Sequence, residues 1–304
     1  MKADLVCKGG GMKGIALLGA ICHLEDEGYE WEKVAGSSAG AIVSSLLAVG
    51  YSGKEIKNML YTIDYKDFTD KNKLQSVPLV GQLVSLFIYK GIYAGDAIEN
   101  FLREKFLAKG KTKFKDIMLD GESRLKIIAT DITRKKILIL PDDLQDYHIN
   151  PLEFDIAKAI RMSLSIPFFY NPVIITDQEK SSYIVDGGIV SNFPIWIFDV
   201  ESEPRWPTFG LYLSDGPVET TTKCTNLLEY MLDIVETSLS KNETVYLRDK
   251  DSVRIIDIPT LGMKTTNFSI TQNELNALYE SGYISAKTFL SCWNFTDYIA
   301  KYRT

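Results

Sequence analysis

A serine between two glycines is the residue with the clearest chemical potential in this chain. Ser38 lies at the centre of Gly36-Ser37-Ser38-Ala39-Gly40, after a predicted strand and ahead of a predicted helix. This Gly-x-Ser-x-Gly spacing is typical of a nucleophile elbow, a sharp turn that exposes the serine hydroxyl and leaves no room for flanking side chains. The free N–H groups at the start of the following helix favour negative charge beside Ser38. The pattern therefore predicts that Ser38 is a nucleophile.

A second glycine turn follows the first predicted strand, with the sequence Gly9-Gly10-Gly11-Met12-Lys13-Gly14. Glycine backbone presents its N–H groups without side chains in the way. Gly9, Gly10 and Gly11 are therefore predicted to form an oxyanion hole, in which each donor is worth about 3–4 kcal/mol of transition-state stabilisation. Lys13 is expected to add positive charge nearby.

The same turn also fits the Gly-x-Gly-x-x-Gly fingerprint of dinucleotide-binding folds, through Gly9, Gly11 and Gly14. Those folds place an acidic residue near the end of the second strand, where it binds the ribose. Here the second strand runs instead into the serine turn, which contains no acid. Nucleotide binding is therefore the weaker alternative.

A serine nucleophile needs a proton acceptor, and histidine is scarce in this chain. His23 and His148 are the two histidines. His23 lies in the middle of a predicted helix and His148 in a polar loop, so structural or solvent-exposed roles are expected for both. Without a well-placed histidine, a carboxylate must accept the proton directly.

Asp186 is the preferred carboxylate. It follows a predicted strand over residues 182–185 and precedes Gly187 and Gly188, whose amides are expected to orient it. Asp131, after a predicted strand over 125–129, is the alternative base. Its position favours a role as a turn or capping residue.

Strand, glycine turn and apolar helix occur twice within the first fifty residues, which predicts an α/β fold with a mostly parallel sheet. No internal repeat or low-complexity segment interrupts the chain. Strands are predicted over residues 4–8, 31–35, 125–129, 136–140, 182–185, 208–213 and 253–258, and helices over 15–27, 41–49, 52–63, 95–108, 156–163, 226–239 and 274–289.

Taken together, the three glycine-marked turns resemble the patatin-like phospholipases in content and order. The stretches Ala129-Thr130-Asp131 and Ala159 to Pro167 add to the similarity. The resemblance covers about residues 1–200. It implies a three-layer α/β/α sandwich around a mostly parallel central sheet, and lipid acyl hydrolysis by a Ser38–Asp186 dyad without a metal or other cofactor. The residues that support the motifs are Met12, Lys13, Gly14, Gly36, Gly40, Gly187 and Gly188.

The remaining hundred residues carry no motif that this family explains. The motif-bearing core is predicted at about residues 4–200, and residues 201–304 are expected to pack on it as scaffold. The whole chain, residues 1–304, is then a single domain.

Composition limits the other classes of function. A net charge of −6, from 34 basic and 40 acidic residues, argues against nucleic-acid binding. The four cysteines form no C-x-x-C pair, so neither disulfides nor a zinc site are expected. We expect no signal peptide, because an acid and several glycines come before any apolar stretch could form, and there is no apolar run of about 18 residues. We expect a cytoplasmic protein that contacts membranes peripherally.

Two apolar segments are candidates for holding acyl chains, residues 79–93 and 168–170. The first is interpreted as a buried connection, and an apolar cap over Ser38 is the alternative. The expected partner is a phospholipid or another lipid ester, with transient membrane contact implied by that substrate class and the oligomeric state left open. A catalytically silent lipid- or partner-binding member of the same fold is the competing hypothesis.

Overall fold

The computed structural model describes residues 1–70, 80–216, 227–239 and 249–302. Its strands are β1 (Lys2–Cys7), β2 (Glu30–Ser37), β3 (Gly91–Tyr93), β4 (Met118–Leu119), β5 (Glu122–Ser123), β6 (Leu125–Asp131), β7 (Lys136–Leu140), β8 (Phe168–Tyr170), β9 (Val173–Asp177), β10 (Lys180–Asp186), β11 (Thr208–Ser214) and β12 (Ile255–Pro259). Its α-helices are α1 (Ile15–Asp26), α2 (Ala39–Ala48), α3 (Gly53–Tyr61), α4 (Val80–Tyr89), α5 (Asp96–Ala108), α6 (Ile156–Ser163), α7 (Leu227–Leu239), α8 (Gln272–Cys292) and α9 (Phe295–Tyr302).

A central sheet organises the chain, in the order β12-β11-β1-β2-β6-β10-β9, with β7 also paired to β6. Neighbours from β12 to β6 run parallel, whereas β10, β9 and β7 join as antiparallel strands. The mixed α/β class with a mostly parallel sheet and flanking helices is thereby confirmed.

The central strands are apolar on both faces because both faces are covered. Leu5 and Cys7 on β1 belong to a large core shared with the helices, including α1, α2 and α8. Val6, between them, points to the opposite face and packs with Phe193 and Ile195. The alternation of side chains along a strand therefore divides one short apolar run between two layers.

The last third of the chain belongs to the same packing as the first. Strand β11 pairs with β1, and α8 lies against α1. Two glycines allow the helix backbones to approach. A Cβ at Gly19 would lie 1.9 Å from the carbonyl oxygen of Tyr279, and one at Gly282 would lie 1.8 Å from that of Ala16.

Strand β6 brings together two distant parts of the sequence. Ser37, the last residue of β2, is opposite Ile128. Asp186, the last residue of β10, is opposite Ala129, the next residue along β6. Two strands that are about 150 positions apart in the sequence thus end side by side on one template strand.

The segment over residues 79–93 differs from its prediction. Residues 71–79 lie outside the described part of the chain, and α4 follows them. The end of α4 is not a buried connection, because Phe87, Ile88 and Tyr89 are exposed to solvent. The predicted helix over 226–239 is found as α7, and the apolar stretch 168–170 forms strand β8 against β3.

Candidate active site

The Ser38 turn has the geometry of a nucleophile elbow. Ser38 adopts φ 51° and ψ −124° between β2 and α2, a backbone conformation that costs on the order of 1–3 kcal/mol for a residue with a side chain. A Cβ at Gly36 would lie 2.3 Å from the carbonyl carbon of Gly40, and one at Gly40 would lie 2.3 Å from the carbonyl oxygen of Cys7. Both glycines are therefore required by close backbone contact.

Ser38 and Asp186 are in direct contact. The Ser38 hydroxyl donates a hydrogen bond of 2.7 Å to Oδ2 of Asp186. The other carboxylate oxygen, Oδ1, accepts the Gly188 N–H at 2.8 Å. The expectation that a following glycine amide orients the carboxylate is met by Gly188.

Burial controls the acidity of this carboxylate. Asp186 is fully buried, and burial raises its pKa to about 7, partly opposed by the hydrogen bonds from Ser38 and Gly188. A raised pKa means that the proton is held more strongly than by an ordinary aspartate. Asp186 is therefore suited to accept a proton at neutral pH and to give it back.

Ser163, at the end of α6, fixes the elbow to the sheet. Its hydroxyl accepts the backbone N–H of Ser38 at 2.8 Å and donates to the carbonyl oxygen of Ile128 at 2.6 Å. Ser163 lies in the stretch Ala159 to Pro167, which resembles the family, but the sequence predicted no role for it. A small hydroxyl residue at the C-terminal end of an amphipathic helix carries no distinctive signal, so only the structure identifies this contact.

Arg161, also on α6, orders the segment beside Asp186. Its guanidinium is buried and donates to Ser165 Oγ at 2.5 Å, to Asn171 O at 2.8 Å and to Ala94 O. The carbonyl oxygen of Ser165 in turn accepts the backbone N–H of Asp186 at 2.9 Å. Burial lowers the pKa of Arg161. Arg161 thus supports the position of Asp186 through one intermediate residue.

The glycine turn after β1 lies beside Ser38, and its N–H groups are not equivalent. The Gly9 N–H donates to the carbonyl oxygen of Asn192 at 3.0 Å, so it is already engaged. Within the described residues, the N–H groups of Gly10 and Gly11 make no hydrogen bond. Of the three predicted donors, Gly9 is therefore not available, whereas the N–H groups of Gly10 and Gly11 are. Gly9 instead provides space, because a Cβ there would lie 3.1 Å from the Ser38 Cβ.

Lys13 does not present a free positive charge to the site. Its Nζ contacts both carboxylate oxygens of Asp215 at 2.8 Å, and Thr260 Oγ1 donates to the same carboxylate at 2.5 Å. Burial alone raises the pKa of Asp215, but the bonds from Lys13 and Thr260 outweigh it and hold the pKa below its ordinary value. The expectation for Lys13 is corrected: the ion pair anchors the glycine turn to the end of β11.

Two clefts meet at Ser38. The larger encloses about 750 Å³ including its mouth and is apolar, with Ile42, Leu102, Ile166 and Phe268 among its lining residues. The smaller encloses about 340 Å³ and is more polar than the larger, lined by the glycine turn together with Lys8, Asn192 and Asp215. A molecule with an apolar part and a polar part would therefore fit with one part in each cleft and the bond that joins them next to Ser38.

The last hundred residues contribute to the site and are more than scaffold. Thr265 lines both clefts, and its carbonyl oxygen accepts the Met12 N–H at 3.0 Å. Phe268 lines the apolar cleft and stacks on Phe169, with ring centroids 5.4 Å apart. Leu239 lines the polar cleft. No motif in this part of the sequence indicated these contacts.

The alternative bases are occupied elsewhere. His23 is buried in α1 against the ring of Tyr283 on α8, with centroids 4.7 Å apart. His148 is exposed and contacts Asp177 at 2.9 Å. Asp131 accepts the backbone N–H groups of Thr133 and Arg134 at 2.8 and 2.9 Å, as predicted for a turn residue. These positions leave Asp186 as the carboxylate on Ser38.

Neither a metal cluster nor a membrane span is found in the parts of the chain that the structure describes. No group of three His, Cys, Asp or Glu side chains there is placed to hold a metal ion. No helix among these residues is both long and apolar enough to cross a bilayer.

The fold and the site define an α/β protein with a serine elbow and a contacting aspartate. The family model of the patatin-like phospholipases matches residues 5–199. The chain belongs to this family.

Known relatives extend over nearly the whole chain. The uncharacterised protein YqhO of Bacillus subtilis (strain 168) is 36% identical over 297 residues, which are 97% of this chain and 100% of YqhO. A cUMP-AMP-activated phospholipase of Escherichia coli is 24% identical over 313 residues, covering 92% of this chain and 90% of that enzyme.

Among solved structures, VipD from Legionella pneumophila superposes with a TM-score of 0.57 at 21% sequence identity. The match covers 95% of this chain and 66% of VipD, so this chain spans about two thirds of that protein. At this identity the likeness concerns the fold.

Proposed function

We propose that the protein is a lipid acyl hydrolase of the phospholipase A or lysophospholipase type, acting through Ser38 and Asp186. One observation carries the proposal: the 2.7 Å hydrogen bond between the Ser38 hydroxyl and a fully buried carboxylate, located where an apolar and a polar cleft meet. Membership in a phospholipase family supports the ester of a lipid as the substrate class.

The first half of the reaction forms an acyl-enzyme. Ser38 Oγ attacks the ester carbonyl carbon while its proton passes to Oδ2 of Asp186. The tetrahedral intermediate then expels the alcohol portion of the lipid, which takes the proton from Asp186. The raised pKa of Asp186 favours both proton transfers near neutral pH.

The second half regenerates the enzyme. A water molecule attacks the acyl carbonyl and passes a proton to Asp186, and the fatty acid leaves as Ser38 Oγ recovers that proton. Gly188 holds Asp186 in one orientation throughout by its bond to Oδ1. The same carboxylate therefore serves as base and acid in each half.

The oxyanion of both tetrahedral intermediates is assigned to the N–H groups of Gly10 and Gly11. Both residues border the polar cleft with Ser38, and their amides have no other partner among the described residues. The Asn192, Thr265 and Asp215 contacts hold this turn in place beforehand, which is the condition for strong electrostatic stabilisation.

The two clefts suggest how a lipid ester is arranged. The acyl chain occupies the apolar cleft between α2, α5 and the aromatic residues Tyr170 and Phe268. The alcohol portion leaves through the polar cleft beside Lys8 and Asp215. We also propose that residues 1–304 form one domain, supported by the β11–β1 pairing, and that the protein is cytoplasmic, supported by the free thiols of Cys7, Cys22 and Cys292.

The decisive experiment compares two neighbouring serines. Ser38→Ala should abolish hydrolysis of a soluble acyl ester and of phospholipids in a lipid panel. Ser37→Ala is the matched control: Ser37 is buried in the same turn, and its hydroxyl has no hydrogen-bond partner among the described residues. Labelling by a fluorophosphonate should follow the same pattern. Undiminished turnover by Ser38→Ala would exclude the proposed nucleophile, and no turnover by any variant would favour a silent lipid-binding protein.

A further inference from the structure

An apolar patch ringed by lysines lies on the same edge of the sheet as Ser38. It comprises the exposed end of α4 and two neighbouring turns; we call it the docking patch. Its apolar members are Phe87, Ile88, Tyr89, Ile132 and Ile174, and its basic members are Lys90, Lys135 and Lys180. Phe87 is 84% exposed, which is unusual for a large apolar side chain unless something covers it in use.

Contacts around Tyr183 join the parts of the docking patch. The Nζ of Lys90 lies 5.1 Å from the centroid of the Tyr183 ring, which places the end of α4 beside β10. Ile174 is opposite Tyr183 in the β9–β10 ladder. The backbone N–H of Ile132 donates to the Tyr183 carbonyl oxygen at 3.1 Å. These contacts bring the end of α4, Ile132 and Ile174 together around Tyr183.

Strand register places this surface beyond the active site on the carboxyl edge of the sheet. Strand β2 ends at Ser37 opposite Ile128, whereas β6 continues for three more residues to Asp131. At about 3.3 Å per residue, Ile132 lies roughly 10 Å past the level of Ser38 along the strand direction. Strand β10 runs antiparallel to β6 and starts six residues before Asp186. The turn that precedes β10 therefore lies further in the same direction.

The docking patch is also connected to the wall of the apolar cleft. The end of α4 is tied to β3 by the bond from Ser85 Oγ to the Gly91 carbonyl oxygen, 2.9 Å. The Tyr93 ring on β3 packs on Phe169 at 4.9 Å, and Phe169 stacks on Phe268, which lines the cleft. A surface that binds the patch is thus held next to the opening through which an acyl chain must enter.

The charges around the patch favour an anionic surface. Within the described part of the chain, Lys90, Lys135 and Lys180 form no ion pair with a carboxylate. Asp177, the nearest half-buried acid on β9, is engaged by His148 and Arg134. Glu179 on the hairpin turn opposes the lysines. Exposed aromatic and aliphatic side chains flanked by lysines are the combination that inserts shallowly into lipid and contacts its phosphates.

We propose that the docking patch binds the surface of an anionic lipid bilayer and thereby presents the apolar cleft to the membrane. The inference rests on the proposed function, because it names the physical state of the substrate for the same site. Apolar side chains of α4 enter the interfacial region, and the three lysines contact lipid phosphates. The whole chain, these lysines included, carries a net charge of −6, so the rest of the protein is acidic and is repelled by an anionic membrane.

Vesicle co-sedimentation of the Ser38→Ala protein tests the docking patch without hydrolysis of the vesicles. We expect binding to vesicles that contain phosphatidylserine, with much less binding to pure phosphatidylcholine. Phe87→Asp combined with Ile88→Asp should abolish pelleting. Lys90→Glu, Lys135→Glu and Lys180→Glu should each weaken it by about fivefold or more.

The matched control places the same changes on exposed apolar residues of other helices. Leu107 on α5 and Ile284 on α8 are 68% and 57% exposed, so Leu107→Asp with Ile284→Asp should pellet like the parent protein. In the active background, all these variants should hydrolyse a soluble ester at the normal rate, which also shows that they fold. Phe87→Ser is a milder substitution that also tests the docking patch.

The outcomes separate this inference from the proposed function. Equal pelleting of the α4 variant and its parent would overturn the docking patch, as would an equal loss in the Leu107–Ile284 control or no pelleting with any vesicle. None of these results affects hydrolysis of the soluble ester, on which the proposed function depends. Loss of the soluble activity in Ser38→Ala with patch-dependent pelleting would support both.

Discussion

The two glycine turns that meet at the active site obtain their shapes in different ways. The elbow at Ser38 is shaped mainly by its own residues, since Gly36 contacts the backbone of Gly40 within the same turn. The turn at Gly9 is shaped by distant residues: Asn192, Asp215 and Thr265 bond to it from the second half of the chain. A motif can therefore be complete in sequence and still depend on tertiary contacts for its geometry.

Changing the elbow itself should have the largest effect. Gly40→Ala places a Cβ 2.3 Å from the Cys7 carbonyl oxygen. Both contacting groups belong to the backbone, which can move apart only at a large cost in free energy. We expect loss of about 3 kcal/mol or more of the free energy of unfolding, despite the better helix propensity of alanine, and no measurable ester hydrolysis. Gly216→Ala is the control, because a Cβ there meets nothing within 4 Å. Chemical denaturation measures the stability of the two variants, and an ester-hydrolysis assay measures their activity. Normal activity of Gly40→Ala would contradict the packing argument.

Breaking the tertiary support of the Gly9 turn should have the next largest effect. Asp215→Asn removes the charge that balances the nearly buried Lys13, and an unpaired cation there costs about 2 kcal/mol or more. The turn is expected to shift and the rate of ester hydrolysis to fall between about tenfold and a hundredfold, since oxyanion donors act only when well placed.

The control for Asp215→Asn is an exposed ion pair. Asp26→Asn breaks the pair with Lys54 on the surface and should change stability by no more than about 0.5 kcal/mol, with normal activity. If both variants hydrolyse ester at the parent rate, the Lys13–Asp215 pair does not position the turn.

Removing the side chain that bonds to the backbone N–H of Ser38 should have a smaller effect. Ser163→Ala leaves the buried Ser38 N–H without its acceptor, which costs about 1–3 kcal/mol, and we expect roughly a tenfold loss of kcat. Ser45→Ala is the matched control, because Ser45 is equally buried but bonds only to Ile42 O in its own helix. A similar kcat for both variants would show that the elbow needs no anchor.

The pH dependence tests Asp186, the carboxylate that is bonded to the serine of the elbow. Asp186 must be ionised to accept the Ser38 proton, so kcat/KM for a soluble ester should rise with pH and level off above about 7. A carboxyl pKa raised in the fold stabilises the protein at low pH, and this contribution is lost as pH rises from about 4 to about 7.

The Asp186→Asn variant should therefore match the parent in stability at pH 4 and exceed it by about 2–4 kcal/mol at pH 8. Asp4 is the comparison residue, since it lies within β1, away from Ser38, and burial raises its pKa to about 6. Asp4→Asn should also gain stability at high pH but keep its activity. A rate plateau that begins near pH 4 would contradict the raised pKa of Asp186.

Much of the fold was predictable because its signals are local. The strands and helices that the sequence predicts appear within a few residues of their predicted limits, and α3 begins with a local capping box of Ser52 and Glu55. Both candidate histidines and Asp131 were also assigned correctly, from their positions in a helix or a turn.

Other features were not predictable, because they depend on distant pairings. The occupied amide of Gly9, the neutralised charge of Lys13 and the contribution of Thr265 and Phe268 all arise where residues from different thirds of the chain meet. The exposure of Phe87 was not predicted either, since an apolar segment does not indicate which of its side chains pack against other elements.

The sequence by itself determined the chemistry: a serine in a turn too tight for flanking side chains, a carboxylate at a strand end, and glycine amides free of side chains. The tertiary structure decided which of these groups act together. Register on β6 brings the end of β10 beside the end of β2, and burial there raises the pKa of Asp186. Spacing along a chain limits local conformation, whereas contact and desolvation depend on the packing of segments that are far apart in sequence.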